Sequence, residues 1–457
     1  MDALTIIDPA TGETLAKVPT DNADTIAIKA QRARAAQPAF AKTPLDERKA
    51  CIRRFRGLLE SEMGMLASTL TREVGKPITQ SRNEVKGLLA RIDFFLDAVD
   101  ESIAAETVLK DAAMHERIEH VPLGVIANVS AWNYPFFVGG NVFVPALLTG
   151  NAVLYKPSEY ATLTGLHIAR LMHESGIPKD VFEPVVGAGE VGSTLVGERI
   201  DGVFFTGSNA TGRRIAQAVG PRMIRLQLEL GGKDPSYVCE DADIANAAAS
   251  LADGAMYNTG QSCCSVERIY VHEQIHDEFV EAFVTTVRSF KVGDPMDAST
   301  YIGAIARAPQ LRVLRLQVED ALRKGASLLN GGRRIERPGN WFEPTVMTDV
   351  DHSMELMREE SFGPVIGIQK VRGDDEAIAL MNDTRYGLTA GVYTPDEARA
   401  TQLLSRVNAG SVYWNCCDRV SPRLPWSGMN ESGVGLTLST YGIQAFTRPK
   451  AWHLKSA

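Results

Sequence analysis

From position 125 onward, short apolar runs alternate with stretches of helical spacing, and this alternation constrains the fold more than any other feature of the chain. The runs are VIANV at 125–129, AVLY at 152–155, EPVV at 183–186, GVFF at 202–205 and RLQLEL at 225–230. Between them lie segments such as LTGLHIARLMHESG, whose apolar residues recur at helical spacing and which stop at Gly or Pro. Such alternation predicts a parallel sheet covered by helices, a doubly wound domain. A second alternating set follows Gly231, with a helix over 242–257, a strand RIYVH at 268–272, a helix over 279–290 and further elements to about Val412. The chain of 457 residues is too long for one core, because single cores stop growing near roughly 250 to 300 residues. Two large α/β domains are the expectation.

Ahead of these, the first hundred residues read as helices, with apolar spacing over 27–41, 52–70 and 85–99, punctuated by Pro44 and by Gly75-Lys76-Pro77. Two segments, ERIEHVP at 116–122 and AFTRPKAWHL at 445–454, alternate like strands outside either wound unit. They are read as a small β arm that pairs with another subunit.

A formal net charge of -8 leaves no basic footprint, which argues against nucleic acid and anionic membranes as partners. No apolar run approaches the roughly 18 residues that span a bilayer, and the start MDALTIIDPATGE lacks a basic region followed by an apolar stretch, so a cytoplasmic location is expected. The 6 cysteines are too few for a disulfide scaffold, and four stand as the neighbours Cys263-Cys264 and Cys416-Cys417. Cys51 and Cys239 read as small buried apolar residues. Neither a CxxC pair nor HExxH occurs, so no metal site is expected.

The turn Gly187-Ala188-Gly189-Glu190-Val191-Gly192 follows the EPVV strand and opens a helical stretch, a context in which backbone amides and a helix N-terminus approach phosphates. On its own the pattern is equally a plain glycine turn, since no acidic residue follows about 20 positions later. A second turn, Phe205-Thr206-Gly207-Ser208, repeats the arrangement. The segment Asn258-Thr259-Gly260-Gln261-Ser262-Cys263-Cys264 sets a cysteine in a Gly-flanked loop, where backbone N–H groups can face whatever bonds to the sulfur.

This last segment resembles the GQxC nucleophile loop of the aldehyde dehydrogenase superfamily, and the likeness covers nearly the whole chain. Ser130-Ala131-Trp132-Asn133-Tyr134-Pro135 is similar to the family's PWNFP motif, with Ala131 where proline is usual; the resemblance makes Asn133 the oxyanion donor and puts Trp132 beside the cofactor. Lys156-Pro157-Ser158-Glu159 resembles the adenosine-ribose site, with Lys156, Ser158 and Glu159 as its contacts. Gly189, Gly192, Gly207 and Ser208 fall on the pyrophosphate turns. Leu228-Glu229-Leu230-Gly231-Gly232-Lys233 matches the motif whose glutamate is the general base, which implies that role for Glu229 and a cofactor contact for Leu230. Glu359-Glu360-Ser361-Phe362-Gly363-Pro364 matches the EExFGP motif, implying Glu360 on the nicotinamide ribose and Phe362 at the nicotinamide ring.

The resemblance implies two doubly wound domains, one Rossmann-like and one catalytic. The expected bounds are 1–103 with 123–231 for NAD(P) binding, 232–435 for catalysis, and 104–122 with 436–457 for the arm of a homodimer or homotetramer. The chain begins near the family's DPATGE segment, so an early strand pair is expected to be missing. The implied chemistry is oxidation of an aldehyde through a thioester on Cys263, which water cleaves with Glu229 as base. A CoA-acylating relative usually lacks that glutamate, and a fold-only protein would not need Cys263, Asn133 and Glu229 together. NAD is expected over NADP, because the Glu159 charge would repel a 2′-phosphate.

Members acting on succinate semialdehyde resemble one another in carrying two arginines at positions that here hold Asn141 and Tyr257. Tyr134, Tyr257 and Trp426 are therefore expected to line an aromatic tunnel suited to an aliphatic, aromatic or amino aldehyde. Arg419 and Arg423, just before Trp426, keep a semialdehyde or other anionic substrate as the alternative.

Overall fold

A computed structural model describes residues 2–456. Its first sheet has six strands in the order Gly433–Val434, Arg225–Glu229, Gly202–Thr206, Val125–Val129, Ala152–Lys156 and Phe182–Pro184, parallel except for the short first strand. Val125 to Asn128, Ala152 to Lys156 and Gly202 to Thr206 are buried throughout, as parallel strands covered on both faces must be. From Val125–Val129 the chain winds outward through Ala152–Lys156 to Phe182–Pro184, then returns to lay Gly202–Thr206 on the other side of the starting strand. The order reverses there, and the carboxyl ends of the strands beside such a switch point form a ligand crevice.

A second sheet of seven strands runs Ser327–Asn330, Thr345–Thr348, Val365–Val371, Val266–His272, Asp234–Val238, Thr389–Tyr393 and Ser411–Trp414. Only its edge pair, Ser327–Asn330 with Thr345–Thr348, is antiparallel. The chain passes from one sheet to the other through Leu230-Gly231-Gly232-Lys233, so the carboxyl ends of the first sheet meet the amino ends of the second.

Before the sheets lie four helices, Ala23–Lys42, Leu45–Ser61, Met63–Val74 and Ile78–Ser102. Asn22 starts the first by accepting from Thr25 N while the Thr25 hydroxyl accepts from Asn22 N, a reciprocal cap. The apolar spacing over 52–70 reads as one helix, but the chain breaks at Glu62 between two. An early strand pair is present: Ala3–Ile7 and Thr14–Pro19 form an antiparallel hairpin, too short and too mixed in polarity to stand out by periodicity.

The arm consists of three antiparallel strands, Thr447–Lys455, Met114–Pro122 and Glu106–Lys110, the last of which the sequence reading missed. Val108, Leu109 and Leu454 stand exposed on it. Cys239 is buried, whereas Cys51 is only half-buried, with the Arg54 guanidinium 3.1 Å from its sulfur.

Candidate functional site

One cavity of about 750 Å³ occupies the junction of the two sheets. Its walls include Trp132, Asn133, Lys156, Ser158, Glu159, Gly189, Gly192, Gly207, Ser208, Glu229, Leu230, Cys263, Glu360 and Phe362, so segments far apart in the chain converge on a single space. The first sheet contributes the residues after its strand ends, and the second sheet contributes the loops that lead into Val266–His272 and Val365–Val371.

Cys263 owes its placement to an unusual turn. Asn258 and Thr259 both adopt left-handed backbone, with φ of 53° and 57°, and Gly260 continues it at 69°. Two successive residues with a Cβ in this region are costly and persist only where surrounding contacts over-determine them. Those contacts are present: Asn258 N donates to Gln80 Oε1, Gly303 N to Thr259 Oγ1 and Ala306 N to Gln261 Oε1, at 2.8 to 2.9 Å. Gly260 is required twice over, since a Cβ there would also lie 2.2 Å from the Gly363 carbonyl oxygen. The turn thus presses against the loop that carries Glu360 and Phe362.

The two adjacent cysteines face different surroundings. Cys263 is half-buried and lines the cavity. Cys264 is buried, its thiol donating to Asp418 Oδ1 at 2.9 Å with the Ser262 hydroxyl 3.4 Å away. A hydrogen bond with Cys264 favours the Cys263 thiolate, but burial and the charges of Glu229, Asp234 and Asp418 outweigh it and hold the thiol above its ordinary range.

Asn133 Nδ2 donates to the Gln261 carbonyl at 3.2 Å, which leaves the second hydrogen of the amide for a ligand. Its loop is held from behind by a buried pair that sequence reasoning missed. Lys76 pairs with Glu84 and donates to the Asn133 carbonyl at 2.7 Å, while Glu84 accepts from Phe136 N at 2.9 Å. Glu229 is buried, accepting from the Trp426 indole N–H and from the Thr206 hydroxyl at 3.2 Å. Burial raises its pKa, and the two donors and the Arg91 charge only partly oppose this.

Opposite Cys263, Glu267 accepts from Ser361 N at 2.8 Å, Phe362 N at 3.0 Å and Lys233 Nζ at 2.6 Å. Phe362, itself left-handed at φ 49°, meets Trp132 edge to face at 5.5 Å. Burial among Glu267 and other acidic groups pushes Glu360 up to about 8.

A dinucleotide fits this cavity. The helix Gly189–Gly197 begins without a side-chain cap, and the space where Gly189 would carry a Cβ is open. Unfilled N–H groups at a helix start suit a pyrophosphate. Ser208 caps the helix Asn209–Val219 beside it. Lys156 is buried, with Nζ 3.9 Å from the half-exposed Glu159.

The three expected tunnel aromatics lie elsewhere. Tyr134 stacks on Phe137 at 5.7 Å, with Lys76 Nζ 3.8 Å from its centroid. Tyr257 accepts from Asn83 Nδ2 at 3.2 Å and meets Tyr301 edge to face. Trp426 is buried and turned onto Glu229 rather than free to form a channel wall. Arg419 and Arg423 are exposed.

The profile of the Aldehyde dehydrogenase family matches residues 2–452. The chain is 33% identical to the succinate-semialdehyde dehydrogenase [NADP(+)] of Deinococcus radiodurans, over 97% of this chain and 93% of that protein. The structure of 3,6-anhydro-L-galactose dehydrogenase in complex with NAP superposes with a TM-score of 0.95 at 33% identity, covering 99% of this chain and 96% of that one. The NAD-dependent aldehyde dehydrogenase of Sinorhizobium meliloti superposes with a TM-score of 0.96 at 32% identity, covering 99% and 91%.

The contrast between the neighbouring thiols is open to direct test. Brief treatment with iodoacetamide at pH 8, followed by peptide mass spectrometry, is expected to alkylate Cys263 well ahead of Cys264, because only Cys263 opens on the cavity and Cys264 is buried in contact with Asp418. Equal labelling of both would show that the turn does not set them apart.

Proposed function

This chain belongs to the aldehyde dehydrogenase family, and on that premise we propose that Cys263, Asn133 and Glu229 carry out a hydrolytic oxidation of an aldehyde to its carboxylic acid. The observation that carries this reading is their convergence on one cavity with the dinucleotide cradle. The Cys263 sulfur adds to the aldehyde carbon, and the oxygen becomes an oxyanion. The free Asn133 N–H and the Cys263 backbone N–H receive it, each worth about 3 to 4 kcal/mol. A bound NAD(P)+ would supply the hydride acceptor, held by Lys156, Ser158, Glu159, Ser208, Glu360 and the Trp132–Phe362 pair. What stays on Cys263 is a thioester. Glu229 then takes a proton from water as the water attacks the acyl carbon, and the thiolate leaves with the electron pair.

We propose the bounds 1–103 with 123–231 for cofactor binding, 232–435 for catalysis, and 104–122 with 436–457 for an arm that joins subunits into a dimer or tetramer. The exposed apolar side chains on the arm support that role. No helix among the described residues is long and apolar enough to cross a membrane, and we propose a cytoplasmic setting.

Three outcomes test the assignment. Gln at 229 keeps an acceptor for Trp426 but loses the base, so Glu229→Gln is expected to give a burst of NADH approaching one per site, then turnover slower by about 10² to 10⁴-fold. Hydroxylamine should relieve the block by cleaving the thioester; no acyl adduct on Cys263 by mass spectrometry would remove Glu229 from this role.

A buried Glu229 must be ionised to accept a proton, so deacylation should fall as pH drops through its raised pKa. Removing the indole donor raises that pKa further. In Trp426→Phe the acid limb of kcat is therefore expected to move to higher pH, and an unmoved limb would show that the indole does not tune the base. Finally, kcat/KM is expected to be higher with NAD than with NADP, since Glu159 lines the cavity and repels a 2′-phosphate; the reverse order would overturn that function for Glu159.

A further inference from the structure

One buried cation near the reacting groups has no anionic partner. Arg91, on the helix Ile78–Ser102, is 6% exposed, and among the described residues no carboxylate lies within ion-pair distance of it. Its Nη1 donates at 2.8 Å to Asn141 Oδ1, a neutral acceptor, and the Phe137 ring lies 3.9 Å from the guanidinium carbon. A guanidinium offers five N–H donors. Most of these are left without a protein acceptor.

The helices hold this arrangement by close approach. Phe137 and Asn141 share one face of the helix Pro135–Leu148 at a spacing of four, and Gly87 stands one turn before Arg91 on the facing helix. A Cβ at Gly87 would lie 2.6 Å from Phe137 Cζ, so the missing side chain lets the ring nest there and brings Arg91 across its face. The groups whose charges bear on Arg91 are Glu229, Glu84, Cys264 and Cys263. Glu84 is already neutralised by Lys76. Burial lowers Arg91 to about 10, so it is charged at neutral pH. An isolated buried charge is strongly unfavourable unless paired.

We propose that Arg91, with Asn141 as its positioning partner, anchors the anionic group of the substrate, and that the preferred substrates are short aldehydes carrying a carboxylate at the far end. The guanidinium edge not used by Asn141 suits a carboxylate through two parallel hydrogen bonds. The exposed Arg419 and Arg423 are not needed for this function. The proposal rests on the aldehyde dehydrogenase reading and specifies its substrate.

The competing explanation is that Arg91 serves only as a distant counter-ion that keeps Glu229 ionised. The two explanations part on a ratio. With the full chain and NAD+, kcat/KM is measured for 4-oxobutanoate and for butanal, which has the same number of carbons and no carboxylate. The wild type is expected to favour 4-oxobutanoate. In Arg91→Gln the ratio of the two values is expected to fall by about 10 to 100-fold, as for a lost charge-assisted hydrogen bond, mainly through KM for the acid.

The double variant Arg91→Gln with Asn141→Arg returns the cation from the opposite helix and should restore much of the ratio, an outcome that a merely structural loss would not produce. If Arg91→Gln lowers both values equally, or shifts only the acid limb of the pH profile, the anchor is wrong and the counter-ion explanation holds. Wild-type turnover of butanal without preference for the acid also overturns the anchor while leaving the oxidation reading intact. Failure of both aldehydes would instead overturn the oxidation reading.

Discussion

The buried contact between Lys233 and Glu267 holds one wall of the cavity in place. Taking two charges out of water costs several kcal/mol each, and their attraction offsets this only when further hydrogen bonds use the remaining oxygens and protons. Here they do. Glu267 also accepts from Ser361 N and Phe362 N, and Lys233 also donates to Ser361 Oγ at 3.0 Å. The pair therefore ties the crossing between the sheets to the loop that carries Glu360 and Phe362. Lys76 and Glu84 do the same opposite, gripping the backbone at Asn133 and Phe136. In both cases a buried carboxylate clamps backbone N–H groups of a loop that no regular element supports, and the loop becomes as fixed as the core around it.

Within those walls the electrostatics pull against one another. The chemistry needs a thiolate at Cys263, yet Glu229, Asp234 and Asp418 all bring negative charge to it. Burial limits the conflict, because it raises Glu229 and holds Asp418 up at about 6, so part of the acidic charge is lost where it would oppose the thiolate. Trp426 and Thr206 restrain this effect by donating to Glu229, which keeps a population of the ionised base. Arg91 is the nearest unneutralised positive charge in this field.

The alternation from position 125 made both wound sheets readable before any coordinates, since fully buried parallel strands leave a run of apolar residues that helices do not. The catalytic and cofactor residues were readable through motif resemblance, and all of them line the same cavity. The hairpin over 3–19 was not, because its strands are short and only half-covered. The break at Glu62 was hidden for another reason: two helices packed on one core share one apolar stripe. Lys76, Glu84, Lys233 and Glu267 look like ordinary surface charges in sequence, and only the fold reveals that they are buried. Arg91 escaped for the same reason, and attention to Arg419 and Arg423 followed from their nearness in sequence to Trp426, which the fold turns toward Glu229.

The residues of the chemistry and those around the acyl group are held by different means. Cys263, Asn133, Glu229 and Glu360 sit in loops or at strand ends, each restrained by buried hydrogen bonds that a single substitution would disturb. Arg91, Phe137 and Asn141 sit on two helices whose separation is set by the nesting of Phe137 over Gly87. Exchanging side chains across that helix pair alters what the far end of a substrate meets without touching a donor to the oxyanion or a partner of the base. A fold built this way separates the choice of aldehyde from the machinery that oxidises it, and relatives with the same cavity can accept substrates of different charge.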